Sequence, residues 1–300
     1  MEIKKNVDVT ALSTLRIQAS ADFFAEPESV DELIKVVKFA KDNGLNVTFL
    51  GGGSNSLLSS RKIDSLLVST LKIDFIDEKS ETIFELGAGL KMPRFCGKMI
   101  HRSLSGAEFM VGIPGSVGGG IVMNAGAHGR EFSDIFISAK ILDLDTLKVH
   151  EFKHGDMDFK YRASSIDPEK YCLLSATVKL DYAAKDEIRE RVASYNRSRT
   201  SSQPLKAWTC GCTFKNPLPD YPAGKLIQDL GAKELIIGQM QVSDVHANFF
   251  ENTGTASSSE FCQLVSTVQG LAREKKNIEL FPEVKPIGFF TDDEKKIWLN

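Results

Sequence analysis

At 300 residues, with 42 % hydrophobic and 26 % charged side chains, the chain is long enough for two or three packed subdomains and too apolar for wholesale disorder. Its 37 basic and 40 acidic side chains leave a net charge of −3, which excludes a general electrostatic pull toward nucleic acid or acidic lipid. No apolar run approaches the ~18 residues of a membrane-spanning helix, and the charged first ten residues lack the apolar core of a signal peptide; a cytoplasmic protein without membrane insertion is expected.

In chain order, Ser29 to Gly44 reads as a helix. Ser29 and Glu32 have capping-box spacing, Leu33, Val36, Val37 and Ala40 form one apolar stripe, and Gly44 is the stop. Val47 to Leu50 is a short buried strand that runs into Gly51-Gly52-Gly53-Ser54-Asn55. Strands are expected at Ser65 to Val68 and Ile83 to Leu86, and a helix over much of Met92 to Arg102. Eight of the 23 glycines then fall between Gly106 and Gly129, where the backbone either turns sharply or is closely approached. Phe136 to Leu144 and Lys148 to Phe152 read as a hairpin around Asp145-Thr146, and Leu173 to Leu180 as a strand. Lys185 to Arg199 is a charged surface helix, and Ala223 to Leu230 a short one stopped by Gly231. Ser257 to Lys276 is the clearest helix: Ser257 and Glu260 box its start, and Phe261, Leu264, Val265, Val268, Leu271 and Ala272 form its stripe. Ile278 to Phe281 and Glu283 to Phe290 are extended. Helices and strands mix without sustained βαβ alternation, which predicts an α+β fold.

Five cysteines, odd in number and mostly far apart, are not a disulfide framework. Cys210 and Cys212 form a lone C-x-C with no second close pair, and the histidines show no ligand spacing, so no metal site is expected. In an extended segment Cys210 and Cys212 would share a face.

The run Gly51 to Asn55 can present successive backbone N–H groups to one anion, as a nest for phosphate oxygens, or can simply be a tight turn; the residues alone favour neither. It is neither G-x-G-x-x-G opening a helix nor a P-loop. A second glycine-rich stretch, Gly112-Ile113-Pro114-Gly115-Ser116-Val117-Gly118-Gly119-Gly120, makes a two-loop clamp on one extended dinucleotide reasonable.

Together with Met123-Asn124-Ala125-Gly126-Ala127, these loops resemble the flavin-binding part of the UDP-N-acetylenolpyruvoylglucosamine reductase family. The resemblance continues through Tyr161-Arg162, Arg199 to Pro204, Gly211-Cys212-Thr213-Phe214-Lys215-Asn216-Pro217, Ala223-Gly224-Lys225-Leu226-Ile227, Gln241-Val242-Ser243, His246-Ala247-Asn248-Phe249 and Pro282-Glu283-Val284, in the family's order over nearly the whole chain. It implies a two-subdomain FAD-binding region of the FAD-linked oxidase type, with subdomains at 1–68 and 69–183, and an α+β substrate domain at 184–300. The short stretch between Arg162 and Arg199 resembles the shorter subtype, which lacks a mobile Tyr-bearing loop.

The implied activity is NADPH-driven, FAD-dependent reduction of the enolpyruvyl ether of a UDP-sugar to UDP-N-acetylmuramate for peptidoglycan. Hydride added to the terminal vinyl carbon leaves negative charge on its neighbour and on the attached carboxylate, so a fixed cation and a proton donor are required. By matching motif these are Arg162, whose guanidinium is planar and permanently charged, with Cys212 and Glu283 as acids. Cys212 stands where many relatives carry Ser, and its thiol, with an ordinary pKa of ~8.5, is the better proton donor.

The resemblance assigns FAD contacts to Gly51, Gly52, Gly53, Ser54, Asn55, Gly112, Ile113, Pro114, Ser116, Val117, Asn124, Ala125 and Gly126. It assigns substrate contacts to Arg199, Lys215, Asn216 and Asn248, while His246 is expected to hold local structure. Competing readings are an FAD-linked oxidase of a small sugar or alcohol, and a catalytically silent nucleotide-binding module. Nothing in the sequence sets an oligomeric state.

Overall fold

A computed structural model describes residues 2–299. The chain divides into two compact units and crosses between them repeatedly. The first holds residues 2–4, 24–52 and 65–199; the second holds residues 5–23, 53–64 and 200–299. Helices and antiparallel sheets coexist in both, in keeping with the α+β expectation.

In the first unit a five-stranded antiparallel sheet has the order Val149–Lys153, Phe136–Asp143, Tyr171–Lys179, Ile83–Gly87, Ile76–Glu78. The expected hairpin is closed by Asp143, whose Oδ1 accepts from the N–H of Asp145 (2.9 Å) and of Thr146 (2.7 Å). This is the local side-chain turn that Asp favours over continued strand. The helix Met92–His101 starts with Pro93 in its first turn and buries Met92, Phe95, Cys96 and Met99, an i, i+3, i+4, i+7 stripe. Edge-to-face pairs Phe84–Phe95 (6.0 Å) and Phe109–Phe132 (5.9 Å) lie within this unit's core.

The helix Val30–Asp42 buries Leu33, Val36, Val37 and Ala40, and Ser29 Oγ caps it by accepting from Glu32 N–H at 3.2 Å. The strand Val47–Leu50 pairs in parallel with the strand Ile63–Ser69, from Val47↔Leu66 to Leu50↔Ser69. The helix Lys185–Ser202 is largely solvent-facing, with Ile188 its buried residue, and the first unit continues along it to Arg199.

The second unit is a four-stranded antiparallel sheet, Trp208–Cys212, Phe249–Asn252, Met240–Val242, Ile236–Ile237. Its main helix, Ser258–Lys276, has the expected reciprocal cap: Ser257 N–H donates to Glu260 (2.5 Å) and Glu260 N–H to Ser257 Oγ (3.2 Å). Phe261, Leu264, Val265, Val268 and Ala272 share a core with Met240, Val242 and Phe250, joined by Leu15, Ile17 and Leu57 from the early chain. Of the two extended C-terminal segments, only Lys285–Ile287 forms a strand, parallel to Ser56–Leu58.

The strand Trp208–Cys212 carries an irregularity. Its register against the strand Phe249–Asn252 shifts between Thr209 and Cys212, where Gly211 takes φ +81°. Such a bulge re-aims the next side chain. Cys210 is therefore buried while Cys212 is half-exposed, so strict alternation does not describe this segment.

Candidate active site

In the first unit the two glycine stretches meet. A Cβ on Gly51 would stand 2.5 Å from Ser116 Oγ, and one on Gly52 3.0 Å from Gly115 Cα, so bare backbone is what lets these loops approach. Ser116 is 1 % exposed, and its Oγ finds no hydrogen-bond partner among the described residues. A buried hydroxyl left unpaired is costly and calls for an explanation, and a bound ligand supplies one. A polar orphan flanked by side-chain-free backbone suits the phosphate oxygens of a dinucleotide.

The rest of the second stretch divides by role. Val117–Val122 is a short helix, not a turn. Gly118 lies where a Cβ would come within 3.1 Å of Ala88, and Gly120 where one would come within 2.4 Å of the Phe132 ring, so these glycines serve close packing. The Val117 side chain is fully buried in the core and its N–H donates to Leu90 O (2.9 Å). Ile113 is partly buried and Pro114 exposed. Gly112 faces the Arg199 side chain, 3.1 Å from Cδ to a built Cβ, which sets the expected substrate cation against this loop. Burial lowers the pKa of that guanidinium.

Asn124 is fully buried with φ +40°, donates through Nδ2 to Lys160 O (3.3 Å) and accepts through Oδ1 from Ser133 N–H (3.1 Å). Its amide braces backbone. Ala125 packs against the core, and Gly126 O accepts from Arg162 Nη2 at 3.0 Å. Arg162 has φ +56°, a sparsely populated conformation for a side-chain-bearing residue, and its guanidinium lies 5.1 Å from the Tyr161 ring centre. Backbone held in this way concentrates at functional sites.

In the second unit the residues from Cys212 to Asn216 run beside those from Phe281 to Lys285. Glu283 N–H donates to Thr213 O (2.8 Å), Lys215 N–H to Phe281 O (2.9 Å), and Phe214 bridges Pro282. Phe214, 1 % exposed and edge-to-face with Phe250 at 5.8 Å, anchors the first segment; such burial contributes about 1.5–3 kcal/mol. Cys212, Lys215, Glu283 and Lys285 thereby gather in one place. The Cys210 thiol is pushed up to about 12, by burial first and then by the charges of Cys212 and Glu283. Burial lowers the Lys285 ammonium, the Lys215 charge lowers it further, and Glu283 opposes both. Lys285 was not singled out from the sequence, although it stands two residues beyond Glu283 in an extended segment, where side chains share a face. Of the five cysteines only Cys212 is not buried, and burial raises the thiols of Cys96, Cys172 and Cys262.

Three asparagines of the expected site brace backbone in this region. Asn248 is 2 % exposed; it accepts from Phe214 N–H (2.9 Å) and donates to Phe214 O (2.8 Å). Asn216 Oδ1 accepts from Ala223 N–H (3.1 Å) at the start of the helix Ala223–Asp229. Asn55 Nδ2 donates to Glu283 O (3.2 Å). Gly53 has φ +62°, and a Cβ there would fall 1.8 Å from Leu12 O, so at this position the tight-turn reading holds. Ser54 is half-buried beside it. His246 Nδ1 accepts from Asn248 N–H (3.2 Å), and burial lowers its pKa, the expected holding role.

Comparison with known proteins places these features in a family. Residues 21–151 match the FAD binding domain family, and residues 203–287 match the UDP-N-acetylenolpyruvoylglucosamine reductase C-terminal domain. The chain is 36 % identical to the UDP-N-acetylenolpyruvoylglucosamine reductase of Caldicellulosiruptor saccharolyticus, over 97 % of this chain and 93 % of that one. It is 35 % identical to the same reductase from a Synechococcus species, over 98 % and 97 %. The crystal structure of the Thermus caldophilus UDP-N-acetylenolpyruvylglucosamine reductase superposes with a TM-score of 0.82 at 29 % identity, covering 96 % of this chain and 99 % of that one. Identity at this level along the full length of both chains leaves one conclusion: the chain belongs to the UDP-N-acetylenolpyruvoylglucosamine reductase family.

Proposed function

We propose that this chain uses NADPH to reduce the enolpyruvyl ether of UDP-N-acetylglucosamine-enolpyruvate to UDP-N-acetylmuramate, a step of peptidoglycan precursor synthesis in the cytoplasm. The observation that carries the reading is the convergence of Cys212, Lys215 and Glu283 on two adjoining backbone segments within a chain of this family. No helix among the described residues is long and apolar enough to cross a membrane. FAD is the cofactor; Gly51, Gly52, Gly115 and Ser116 would hold its phosphates, with Ser116 Oγ as a donor. When bound, it would supply the hydride transfer from NADPH to the terminal vinyl carbon.

The chain's own residues do the rest. Arg162, fixed by Gly126 O, sets a permanent positive charge against the substrate carboxylate as negative charge builds there. Cys212 Sγ–H gives its proton to the neighbouring carbon, and Glu283 polarises the same centre. Lys215 and Arg199 neutralise the diphosphate of the UDP-sugar. Asn216 and Asn248 act as positioning residues through Ala223 and Phe214. The division at 1–68, 69–183 and 184–300 serves this reading as two flavin-binding parts and one substrate part.

The test is steady-state NADPH oxidation with UDP-N-acetylglucosamine-enolpyruvate, with the product identified by mass. The expected product is heavier by two hydrogens, with one NADPH consumed per molecule. NADPH oxidation independent of the UDP-sugar would overturn the reading in favour of an oxidase.

A further inference from the structure

We propose that Asn55 is a positioning residue for Glu283, so that the end of the first glycine loop sets the geometry of the acid. The inference rests on the reading of Glu283 as a participant in substrate reduction. Asn55 holds the acid's strand at two points: its Nδ2 donates to Glu283 O (3.2 Å), and its own carbonyl accepts from Lys285 N–H (3.0 Å). On the other side, Glu283 N–H donates to Thr213 O (2.8 Å), next to Cys212.

Both peptide groups of Glu283 are thus engaged, one by the segment that bears the thiol and one by Asn55. Immediately afterwards Ser56–Leu58 and Lys285–Ile287 pair in parallel, with Lys285 opposite Ser56, so the Asn55 contact is the last tie before a regular ladder. A strand end held only by its ladder would leave the Glu283 carbonyl without this donor and free the peptide plane to rotate. A carboxylate that must meet a developing charge loses on the order of 10²-fold in rate when misplaced by about 1 Å. Asn fits this task better than Asp. The amide offers a donor to the carbonyl, whereas a carboxylate would set two acceptors face to face.

The experiment uses the flavin-loaded full chain and its Asn55→Ala and Asn55→Asp variants under anaerobic conditions. Bleaching of the flavin by NADPH and its recolouring by UDP-N-acetylglucosamine-enolpyruvate are followed separately, and flavin content and melting temperature are measured on each protein. With both phases normalised to bound flavin, recolouring should slow by ~10–100-fold relative to bleaching, with a displaced pH profile. Because Asn55 acts through Glu283, adding Asn55→Ala to Glu283→Gln should slow recolouring no further than Glu283→Gln alone. Equal loss in both phases per bound flavin, or full additivity in the double variant, would overturn the positioning role. A parent protein that the UDP-sugar fails to recolour would instead overturn the reading of the site, and this role with it.

Discussion

The buried hydroxyl of Ser116 allows a test in which two observables move in opposite directions. Among the described residues Ser116 Oγ is buried without a partner, a condition that costs about 1–3 kcal/mol. Ser116 precedes the helix Val117–Val122 but makes no side-chain capping hydrogen bond there, so Ser116→Ala removes the unpaired hydroxyl without removing a cap. The flavin-free variant should therefore be the more stable, melting ~2 °C or more above its parent at roughly 2–4 °C per kcal/mol. In the loaded protein the same hydroxyl donates to a charged phosphate oxygen, a bond worth about 1.5–3 kcal/mol, so flavin affinity should fall roughly 10–100-fold. Thermal melts of the apoprotein and a fluorescence titration with FAD read the two effects independently. Loss of apoprotein stability with unchanged affinity would show that the hydroxyl is satisfied inside the fold, and would remove Ser116 from the cofactor site.

Other expectations follow from particular contacts. Cys212→Ala should leave flavin bleaching by NADPH intact and slow recolouring by the UDP-sugar, whereas Cys212→Ser should keep substantial activity; stopped-flow absorbance separates the phases, and equal loss in both would refute proton donation by the thiol. Gly52→Val should lower flavin content, because its Cβ would press on Gly115 Cα at 3.0 Å with two further methyls behind it; full flavin occupancy in the purified variant would contradict this. Burial raises the Glu85 carboxyl, but hydrogen bonds from Lys140, Ser175 and Lys79 outweigh it and bring the pKa down to about 2 from the usual 4.5. A depressed carboxyl contributes stability that is complete above about pH 4.5 and is lost as pH falls toward 2. After allowance for two half-exposed lysines we expect about 2 kcal/mol, and Glu85→Gln should flatten the acid limb of the stability profile in that window.

The readable parts of this fold are those whose local preferences agree with their packing. The helix Ser258–Lys276 announces itself because its capping box and its stripe of Phe261, Leu264, Val265 and Val268 are the same features that hold it in the structure. Val117–Val122 gives the opposite case. Three consecutive glycines argue against a helix, yet Gly118 against Ala88 and Gly120 against Phe132 show that only a side-chain-free helix fits there. The strand Trp208–Cys212 was obscured by the Gly211 bulge, and the place of Leu15 and Ile17 in the second unit's core depends on contacts far along the chain.

At the site, the bonds an amide makes are not legible in a motif. Asn55, Asn124 and Asn248 sit in the expected stretches, but each bonds backbone: Glu283 O, Lys160 O and the two polar groups of Phe214 respectively. The packing of Val117 is hidden in the same way, since an apolar residue beside a glycine-rich loop can equally be core. Lys285 was missed because nothing marks a lysine in an extended tail until its neighbours Lys215 and Glu283 are placed.

One measurement bears most directly on the central claim, that this chain carries electrons from NADPH to an enolpyruvyl ether. Purified protein is reduced anaerobically with one equivalent of NADPH, then mixed either with UDP-N-acetylglucosamine-enolpyruvate or with aerated buffer while the flavin band is followed. Recolouring by the UDP-sugar is expected to be far faster than recolouring by air. A flavin that air reoxidises rapidly and the UDP-sugar leaves bleached would contradict it.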